Sequence, residues 1–214
     1  MTDTIDTGTL TAWITRFRDA VTEKREWLTE LDSAIGDADH GANMARGMAA
    51  VADKLGGVAP GTVDELLKGV GMTLVSSVGG ASGPLYGTFF LRMGMTAGTV
   101  TELDATALAA ALRAGLDGIV ARGKAEAGDK TMFDAMAPAV DALDAAIAGG
   151  ASMADAARTA AEAASAGRDA TLPLVARKGR ASYLGERSTG HLDPGAASTA
   201  ILFETLATTI AERT

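Results

Sequence analysis

IGDADHGAN, residues 35–43, joins two apolar helical patterns and places Asp37 and Asp39 in a short bend, with Asp32 about one helical turn earlier. Carboxylates this close repel one another, and partial burial strengthens the repulsion, so the arrangement favours a bound cation. Oxygen ligands in a chain without cysteine favour magnesium over zinc. The alternative is a solvated turn in which Asp39 caps the next helix, and spacing alone supports both interpretations equally.

The composition predicts an all-helical protein. Of the 214 residues, 47% are hydrophobic but only 4% are aromatic, and alanine is abundant. Alanine-rich helices pack closely without bulky side chains. The length is sufficient for one sizeable core, and the chain contains neither an internal repeat nor a linker. Residues 1–214 are therefore predicted to form a single domain.

Charge and composition exclude several classes of protein. The net charge is −8, from 19 basic and 27 acidic residues, which argues against a nucleic-acid surface. The absence of cysteine excludes disulfides and thiolate chemistry. The N-terminal residues lack a signal-peptide pattern, and no apolar run approaches the roughly 20 residues of a membrane span. The sequence predicts a cytoplasmic protein that acts without nucleic acid or a membrane.

Apolar periodicity predicts eight helices and no strand. The first helix has a break near Lys24, residues 62–65 read as a capping box, and Ser82 is the predicted N-cap of the fourth helix. Short connections imply antiparallel neighbours in one bundle or closed ring. The helices are predicted at residues 9–35, 40–55, 62–78, from 82 onward, 101–123, 131–148, from 152 towards Pro173, and 195–212.

Four glycine-containing loops precede predicted helices, at residues 36–43, 79–83, 128–132 and 185–195. Helix N-termini expose unpaired N–H groups and a positive dipole end, so these loops suit phosphate. For any one loop, an ordinary helix turn is the simpler interpretation. GDKT, residues 128–131, is superficially similar to the end of a P-loop, but it lacks the upstream glycine spacing and a preceding strand, so we reject that motif.

A basic segment, residues 176–194, interrupts the helical pattern. It has two interpretations: a guanidinium that reaches a phosphate, or a solvated run of charge. Glycine and Tyr183 interleave with the charges, which favours the phosphate contact. Its clustered cations are Arg177, Lys178, Arg180 and Arg187.

His40 and His191 are the two histidines of the chain, and both lie in glycine loops. Neither has a partner at metal-ligand spacing, so a phosphate contact or a structural hydrogen bond is favoured over zinc ligation. Met132 and Met136 lie close to a glycine loop. Filling the core is their simpler role, and lining an adenine pocket is the alternative.

Four longer stretches are LDSAIGDADHGANMARG (31–47), GGASGPLYGTFF (79–90), GDKTMFDAMAP (128–138) and RKGRASYLGERSTGHLDPGA (177–196). Together they resemble the nucleotide-binding L subunit of bacterial dihydroxyacetone kinases, the stand-alone DhaL type. The resemblance extends from the first predicted helix to the last. It implies a closed ring of eight antiparallel amphipathic helices, with the nucleotide in loops at one end.

The resemblance also implies a role for particular residues. Asp32, Asp37 and Asp39 would bind two Mg²⁺, which leaves a formal charge of +1 to meet the phosphates of ADP or ATP. Arg180 would stabilise charge during phosphoryl transfer, and no other catalytic residue is implied on this chain. The phosphates are assigned to His40, Gly41, Ala42, Asn43, Ala81 and Ser82, the adenine to Gly123 and Met132, and closure of the site to Arg180, Asp193, Pro194 and Gly195.

In this family the work is divided among subunits. A K subunit holds dihydroxyacetone, an M subunit donates a phosphoryl group from phosphohistidine, and the L subunit carries the nucleotide. Three alternatives stay open: an ATP-exchanging kinase subunit for another small ketose such as erythrulose, a subunit that phosphorylates a lipid carboxylate held by a partner, and a nucleotide sensor that docks on a transcription regulator without catalysis.

Overall fold

The computed structural model describes residues 4–57 and 59–213, which are predominantly helical. Residues 1–3, part of the stretch searched for a signal-peptide pattern, lie outside the described residues. The elements are β1 (Thr4–Asp6), α1 (Thr7–Glu23), α2 (Arg25–Ile35), α3 (His40–Leu55), α4 (Val63–Ser77), α5 (Ser82–Ala97), β2 (Glu102–Asp104), α6 (Ala105–Gly123), α7 (Phe133–Ala148), α8 (Met153–Ala170), a 3₁₀ helix (Arg180–Ser188) and α9 (Pro194–Ala211).

The all-helical fold class is confirmed, with two differences from the prediction. The first predicted helix is two helices, α1 and α2, because the backbone of Lys24 leaves helical geometry at the predicted break (φ −89°, ψ 12°). The prediction of no strand was wrong, since β1 and β2 pair antiparallel with Thr4 opposite Asp104. Strands of three residues are too short for an alternating apolar pattern to be recognised.

Two helix starts differ from the prediction. α6 begins at Ala105, after the strand, and the carboxylate of Asp104 caps it by accepting the N–H of Ala107 at 2.7 Å. α5 begins at Ser82, so Ala81 occupies the N-cap position that the sequence assigned to Ser82. The hydroxyl of Ser82 is therefore not used to cap its own helix.

The predicted capping box at the start of α4 is displaced by one residue. Thr62 is the N-cap, but its hydroxyl donates to the carboxylate of Asp64 at 2.6 Å and makes no capping bond. Glu65 accepts the N–H of Gly61 at 2.9 Å, one residue before the position that a capping box requires. The helix start was predicted correctly, and its hydrogen bonds were not.

Helices that follow one another from α3 to α9 pack against one another in the same order, and α1 packs against both α9 and α3. α2 packs against α3, α9 and the 3₁₀ helix. One hydrophobic cluster takes buried side chains from every α-helix and from both strands. Because successive helices alternate in direction, the end of α2 and the starts of α3, α5, α7 and α9 lie at the same end of the molecule.

α4 and α5 approach one another closely where glycines face each other. A Cβ on Gly71 would lie 2.7 Å from the carbonyl oxygen of Gly87, and one on Gly87 would lie 2.4 Å from a methyl of Val75. Both distances are too short for a real side chain, so the close packing of this pair requires glycine. Among the described residues, no helix is long and apolar enough to cross a membrane.

Candidate functional site

A cavity of about 960 Å³ opens at the end of the molecule where these helix ends meet. Every residue that the sequence assigned to the site lines it, except Gly41 and Ala42. Gly41 faces α2 instead, since a Cβ there would lie 2.0 Å from the carbonyl oxygen of Arg25. His191 and Arg187 are not among the lining residues.

Asp32, Asp37 and Asp39 each bring a carboxylate oxygen within 4.8 Å of the others. Asp32 is buried in the last turn of α2, Asp39 is partly buried at the N-cap position of α3, and Asp37 is exposed between them. The Asp39 side chain makes no capping hydrogen bond, so its interpretation as a helix cap was wrong. Three convergent carboxylates of graded burial fit a hard divalent cation such as Mg²⁺.

Asp32 fixes the shape of the bend that carries the other two carboxylates. Its Oδ2 accepts the backbone N–H of Asp39 at 2.8 Å and that of His40 at 3.0 Å. Its Oδ1 lies where a Cβ on Gly36 would be only 2.0 Å away, so a side chain at that position would displace the carboxylate. Ala38 completes the bend in the left-handed region, with φ 60°.

His40 connects three helices from within the site. Its Nε2 lies 2.9 Å from the hydroxyl of Ser198 on α9, and its Nδ1 lies 3.2 Å from the hydroxyl of Ser82 on α5. The residue is buried, and burial lowers the pKa of the imidazole against the opposing charges of Asp32 and Asp39. His40 thus makes structural hydrogen bonds, one of the two roles that the sequence left open.

The loop before α5 presents bare backbone to the cavity. Gly79 packs on the buried amide of Asn43, which would lie 2.9 Å from a Cβ at that position. Asn43 is held in turn by Arg46, whose guanidinium donates to its Oδ1 at 2.6 Å. Gly80 has φ 66° and no atom within 4 Å of the place of a Cβ, so an anion can approach its backbone closely.

The N-termini of α3, α5, α7 and α9 point towards the cavity, and their capping is unusual. The N-cap residues of α3, α5 and α7 make no side-chain capping hydrogen bond, and of these four only α9 is capped in this way, by Asp193. At the opposite end, Asp6, Asp104 and Ser152 cap α1, α6 and α8, whereas Thr62 does not cap α4. The first N–H groups of α3 and α7 are accepted by other side chains, the Asp32 carboxylate at 3.0 Å and the Thr131 hydroxyl at 3.2 Å. The positive dipole ends of four helices converge on the cavity, which suits phosphate.

The basic segment reaches the rim of the same cavity. Arg177, Lys178 and Arg180 line it, and a guanidinium nitrogen of Arg180 lies 3.0 Å from a carboxylate oxygen of Asp37. The Arg180 side chain is 68% exposed, so this ion pair contributes little to stability. The pair places a positive charge directly beside the carboxylate cluster.

Asp193 and Lys130 are two further buried charged residues that line the cavity, on the side opposite the rim. Asp193 accepts the N–H of Ala196 at 2.7 Å, and burial raises the pKa of its carboxyl to about 7, against the charge of Lys130. The sequence missed Lys130, because its hydrogen-bond partners lie 44 and 58 residues away and no spacing rule marks it. The rejection of a P-loop is confirmed, since a helix, α6, and not a strand leads into this loop.

Comparison with known proteins agrees with the resemblance seen in the sequence. The DAK2 domain model matches residues 34–208. The ADP-binding subunit DhaL of the PEP-dependent dihydroxyacetone kinase from Escherichia coli (strain K12) is 47% identical, over 91% of this chain and 93% of that protein. The ADP-binding subunit DhaL of the PTS-dependent dihydroxyacetone kinase from Lactococcus lactis subsp. lactis (strain IL1403) is also 47% identical, over 97% of this chain and 99% of that protein.

A solved structure shares the fold. The crystal structure of the dihydroxyacetone kinase from C. freundii in complex with AMP-PNP and Mg²⁺ superposes with a TM-score of 0.69 at 29% identity. The match covers 93% of this chain and 33% of that one. This chain therefore belongs to the DAK2-domain family, and within it to the DhaL-type subunits of dihydroxyacetone kinases.

Proposed function

We propose that this chain is the nucleotide-carrying subunit of a dihydroxyacetone kinase. Bound ADP receives a phosphoryl group from a phosphohistidine M subunit and passes it to dihydroxyacetone held on a K subunit. The observation that carries the proposal is the cluster of Asp32, Asp37 and Asp39, which bring carboxylate oxygens within 4.8 Å of one another, in a cavity on which helix N-termini converge. The printed names of the relatives, ADP-binding subunits, support it.

We assign two Mg²⁺ to the three carboxylates. When bound, Mg²⁺ neutralises and aligns the phosphates, which is the main requirement for phosphoryl transfer. Asp32 accepts two backbone N–H groups and so gives the cluster a fixed point, while exposed Asp37 pairs with Arg180. The solved relative in complex with AMP-PNP and Mg²⁺ supports the choice of metal.

We assign the phosphates to the first turn of α3 (residues 40–43) and to the backbone around Ala81 and Ser82. We assign the adenine to Gly123 and Met132, which both line the cavity at opposite ends of the connection from α6 to α7. Arg180 faces the phosphates from the rim and offsets charge during transfer. Residues 193–195 close the far wall, where Pro194 and Gly195 start α9.

At the scale of the fold, we propose that α1 and α3 to α9 form a closed ring of eight helices in one nucleotide-binding domain. The order of packing supports this, because each of these helices contacts the next and α9 returns to α1. The main hydrophobic cluster, which draws on every α-helix of the described residues, supports one domain. α2 is then an additional helix that carries Asp32 to the rim.

A reconstitution tests this function. The purified chain is mixed with a dihydroxyacetone-binding K subunit, and the formation of dihydroxyacetone phosphate is measured with either phosphorylated M subunit plus ADP or ATP as donor. We expect product with the M subunit and catalytic amounts of ADP. The names "PEP-dependent" and "PTS-dependent" of the relatives favour this donor.

Two of the alternatives, the ATP-exchanging ketose kinase subunit and the nucleotide sensor, have their own outcomes in the same assay. Product with ATP alone would indicate an ATP-exchanging subunit, and a preference for erythrulose would change the substrate. Bound MgADP without product from any donor would favour a nucleotide sensor for a transcription regulator. Asp37→Ala serves as the control that should lose activity. Asp53→Ala is the matched control that should keep it, because Asp53 is an exposed aspartate on α3 that does not line the cavity.

A further inference from the structure

The segment between α8 and α9 forms an arm whose two legs are tied together. We call residues 172–190 the arm. Near its base the N–H of Gly190 donates to the carbonyl of Leu172 at 2.8 Å. Further along, the N–H of Ala176 donates to the hydroxyl of Ser188 at 2.8 Å. We call the two chain segments that these bonds join, residues 172–176 and 188–190, the legs, and the bonded region between them the neck. The rest of the arm, including most of the 3₁₀ helix, extends from this neck to the cavity rim.

Lys130 enters the neck from the connection between α6 and α7. Its Nζ donates to the carbonyl of Leu174 on one leg at 2.9 Å and to that of Ser188 on the other at 2.6 Å. The residue is only 1% exposed. Next to it, the carbonyl of Asp129 accepts the N–H of Arg177 at 3.0 Å. One ammonium group thus bridges both legs of the arm from outside it.

The backbone conformation of Lys130 is one that its surroundings must stabilise. Its φ is 62°, in the left-handed region that a residue with a Cβ adopts at a cost. Such a conformation persists where the surroundings determine it. Hydrogen bonds from a charged donor to buried carbonyls are stronger than those between neutral groups. The two hydrogen bonds from Nζ to carbonyl oxygens therefore help to offset the cost of the left-handed backbone conformation at Lys130.

Beyond the neck, few contacts hold the arm against the site. Ala176 and Ala181 form a small apolar cluster with Ile35 at the end of α2, and Leu184 packs against it. This cluster is separate from the main core. Arg180 adds the ion pair with Asp37, which is largely solvent-exposed. So little buried apolar area leaves the orientation of the arm dependent on its neck.

We propose that Lys130 is a positioning residue that holds the two legs of the arm together and so keeps Arg180 at the rim of the cavity. It does not touch the nucleotide phosphates and acts through Arg180. The role of Lys130 in holding the arm stands on the contacts above, whereas its effect on nucleotide affinity rests on the proposed function.

Trypsin provides a direct test, because the arm contains Arg177, Lys178, Arg180 and Arg187. In Lys130→Met we expect cleavage within the arm to accelerate by about tenfold or more, since two charged-donor hydrogen bonds no longer oppose opening. Cleavage after Arg158, exposed on α8, reports global unfolding and stays at the wild-type rate. Fragments are assigned by mass spectrometry.

Lys124→Met is the matched control, since Lys124 lies at the other end of the same connection, also with positive φ (50°), but exposed. We expect cleavage within the arm to proceed at the wild-type rate in this variant, with only the cut after residue 124 lost. Arm cleavage in Lys130→Met at the wild-type rate would overturn the inference. If Lys130→Met does not fold, Lys130→Gln, which keeps a shorter polar group, replaces it. Failure of both to fold would show that Lys130 supports the core rather than the arm, and would also overturn it.

A double-mutant cycle separates positioning from general support. MgADP affinity is measured by calorimetry for Arg180→Gln, Lys130→Met and the double variant. We expect the loss from Arg180→Gln to shrink several-fold in the Lys130→Met background, because the guanidinium is no longer held at the rim. Equal losses in both backgrounds would contradict action through Arg180. If wild-type protein does not bind MgADP, the proposed function fails, while the proteolysis still decides the role of Lys130.

Discussion

Asp32 illustrates how one side chain determines the geometry of a site in which it also takes part. One of its oxygens accepts two consecutive backbone N–H groups, and the other occupies the space above Gly36. The bend that carries Asp37 and Asp39 is therefore built around this carboxylate. A residue that a metal would bind is already fixed by the backbone, so little reorganisation is needed on binding.

At the scale of single residues, we predict that Asp37→Ala weakens MgADP binding by at least about tenfold, because a ligand of the cation is lost. The helical circular dichroism should be unchanged, since Asp37 is exposed and outside the core. Calorimetry with ADP at fixed Mg²⁺ measures the effect, and Asp53→Ala should bind as the wild type does. Unchanged affinity in Asp37→Ala would remove the metal assignment.

The buried carboxyl of Asp193 predicts a pH dependence of stability. Burial raises its pKa to about 7, whereas in the unfolded chain it titrates near about 4. The folded state therefore binds more protons between these values, and the free energy of unfolding falls as the pH rises from 4 to 7. Asn is an equally good N-cap but does not titrate.

We expect the melting temperature of Asp193→Asn, relative to the wild type, to increase between pH 5 and pH 8 in the absence of nucleotide. Asp104→Asn makes the same change at the exposed N-cap of α6 and is the control for loss of a capping carboxylate. A difference between Asp193→Asn and the wild type that is constant across this range would show that Asp193 does not titrate there.

The sequence revealed the site residues that neighbour one another along the chain. Asp32, Asp37 and Asp39 fall within one short stretch, so their spacing already implied proximity. The contacts of Lys130 and the link from His40 to Ser198 could not be predicted in this way, because they join residues that only the packing of helices brings together. Local spacing carries no information about such partners.

At the scale of elements, the close packing of α4 and α5 predicts opposite effects for two glycines of one helix. Gly71→Ala should lower the free energy of unfolding by about 1–3 kcal/mol, because its Cβ would meet the Gly87 carbonyl at 2.7 Å. Gly69→Ala should raise it by roughly 0.5–1 kcal/mol, since alanine favours the helix. The nearest atoms there, on Lys54, are 4.0 Å away.

Urea unfolding of the two variants, with the same slope as the wild type, measures both changes. A stabilising Gly71→Ala would mean that the helices can separate without cost. A destabilising Gly69→Ala would mean that Lys54 resists the added methyl group.

Long elements were predictable and short ones were not. Apolar stripes along several turns identified the helices, and even the break at Lys24. β1 and β2 escaped because each has one buried residue, Ile5 and Leu103, which forms no pattern. The start of α5 was misplaced by one residue, since Ser82 is a good N-cap by composition, yet its hydroxyl faces His40 instead.

For the whole molecule, ligand binding and folding are coupled. A ligand that binds only the folded state stabilises it, by about 2.7 kcal/mol at a hundred times its dissociation constant. We therefore expect MgADP to raise the melting temperature and EDTA to abolish the rise. Differential scanning calorimetry measures this, with Asp37→Ala as the control whose melting temperature should rise less at the same MgADP concentration. An equal rise with ADP in EDTA would show that the cation plays no part.

The uneven capping of the helices has a consequence for the movements of the chain. The N-cap residues of α3, α5 and α7 make no side-chain capping bond at the cavity, and the acceptors that stand in for them, Asp32 for α3 and Thr131 for α7, reach only the first amide of each helix. We therefore expect these opening turns to fray more readily than those of α1, α6 and α8, whose N-cap residues do cap them. A polyphosphate that accepts their amides acts as a shared cap for segments far apart in the chain. Amide deuterium uptake should then slow together in all three opening turns when the nucleotide arrives, while the opposite end of the molecule stays unaffected.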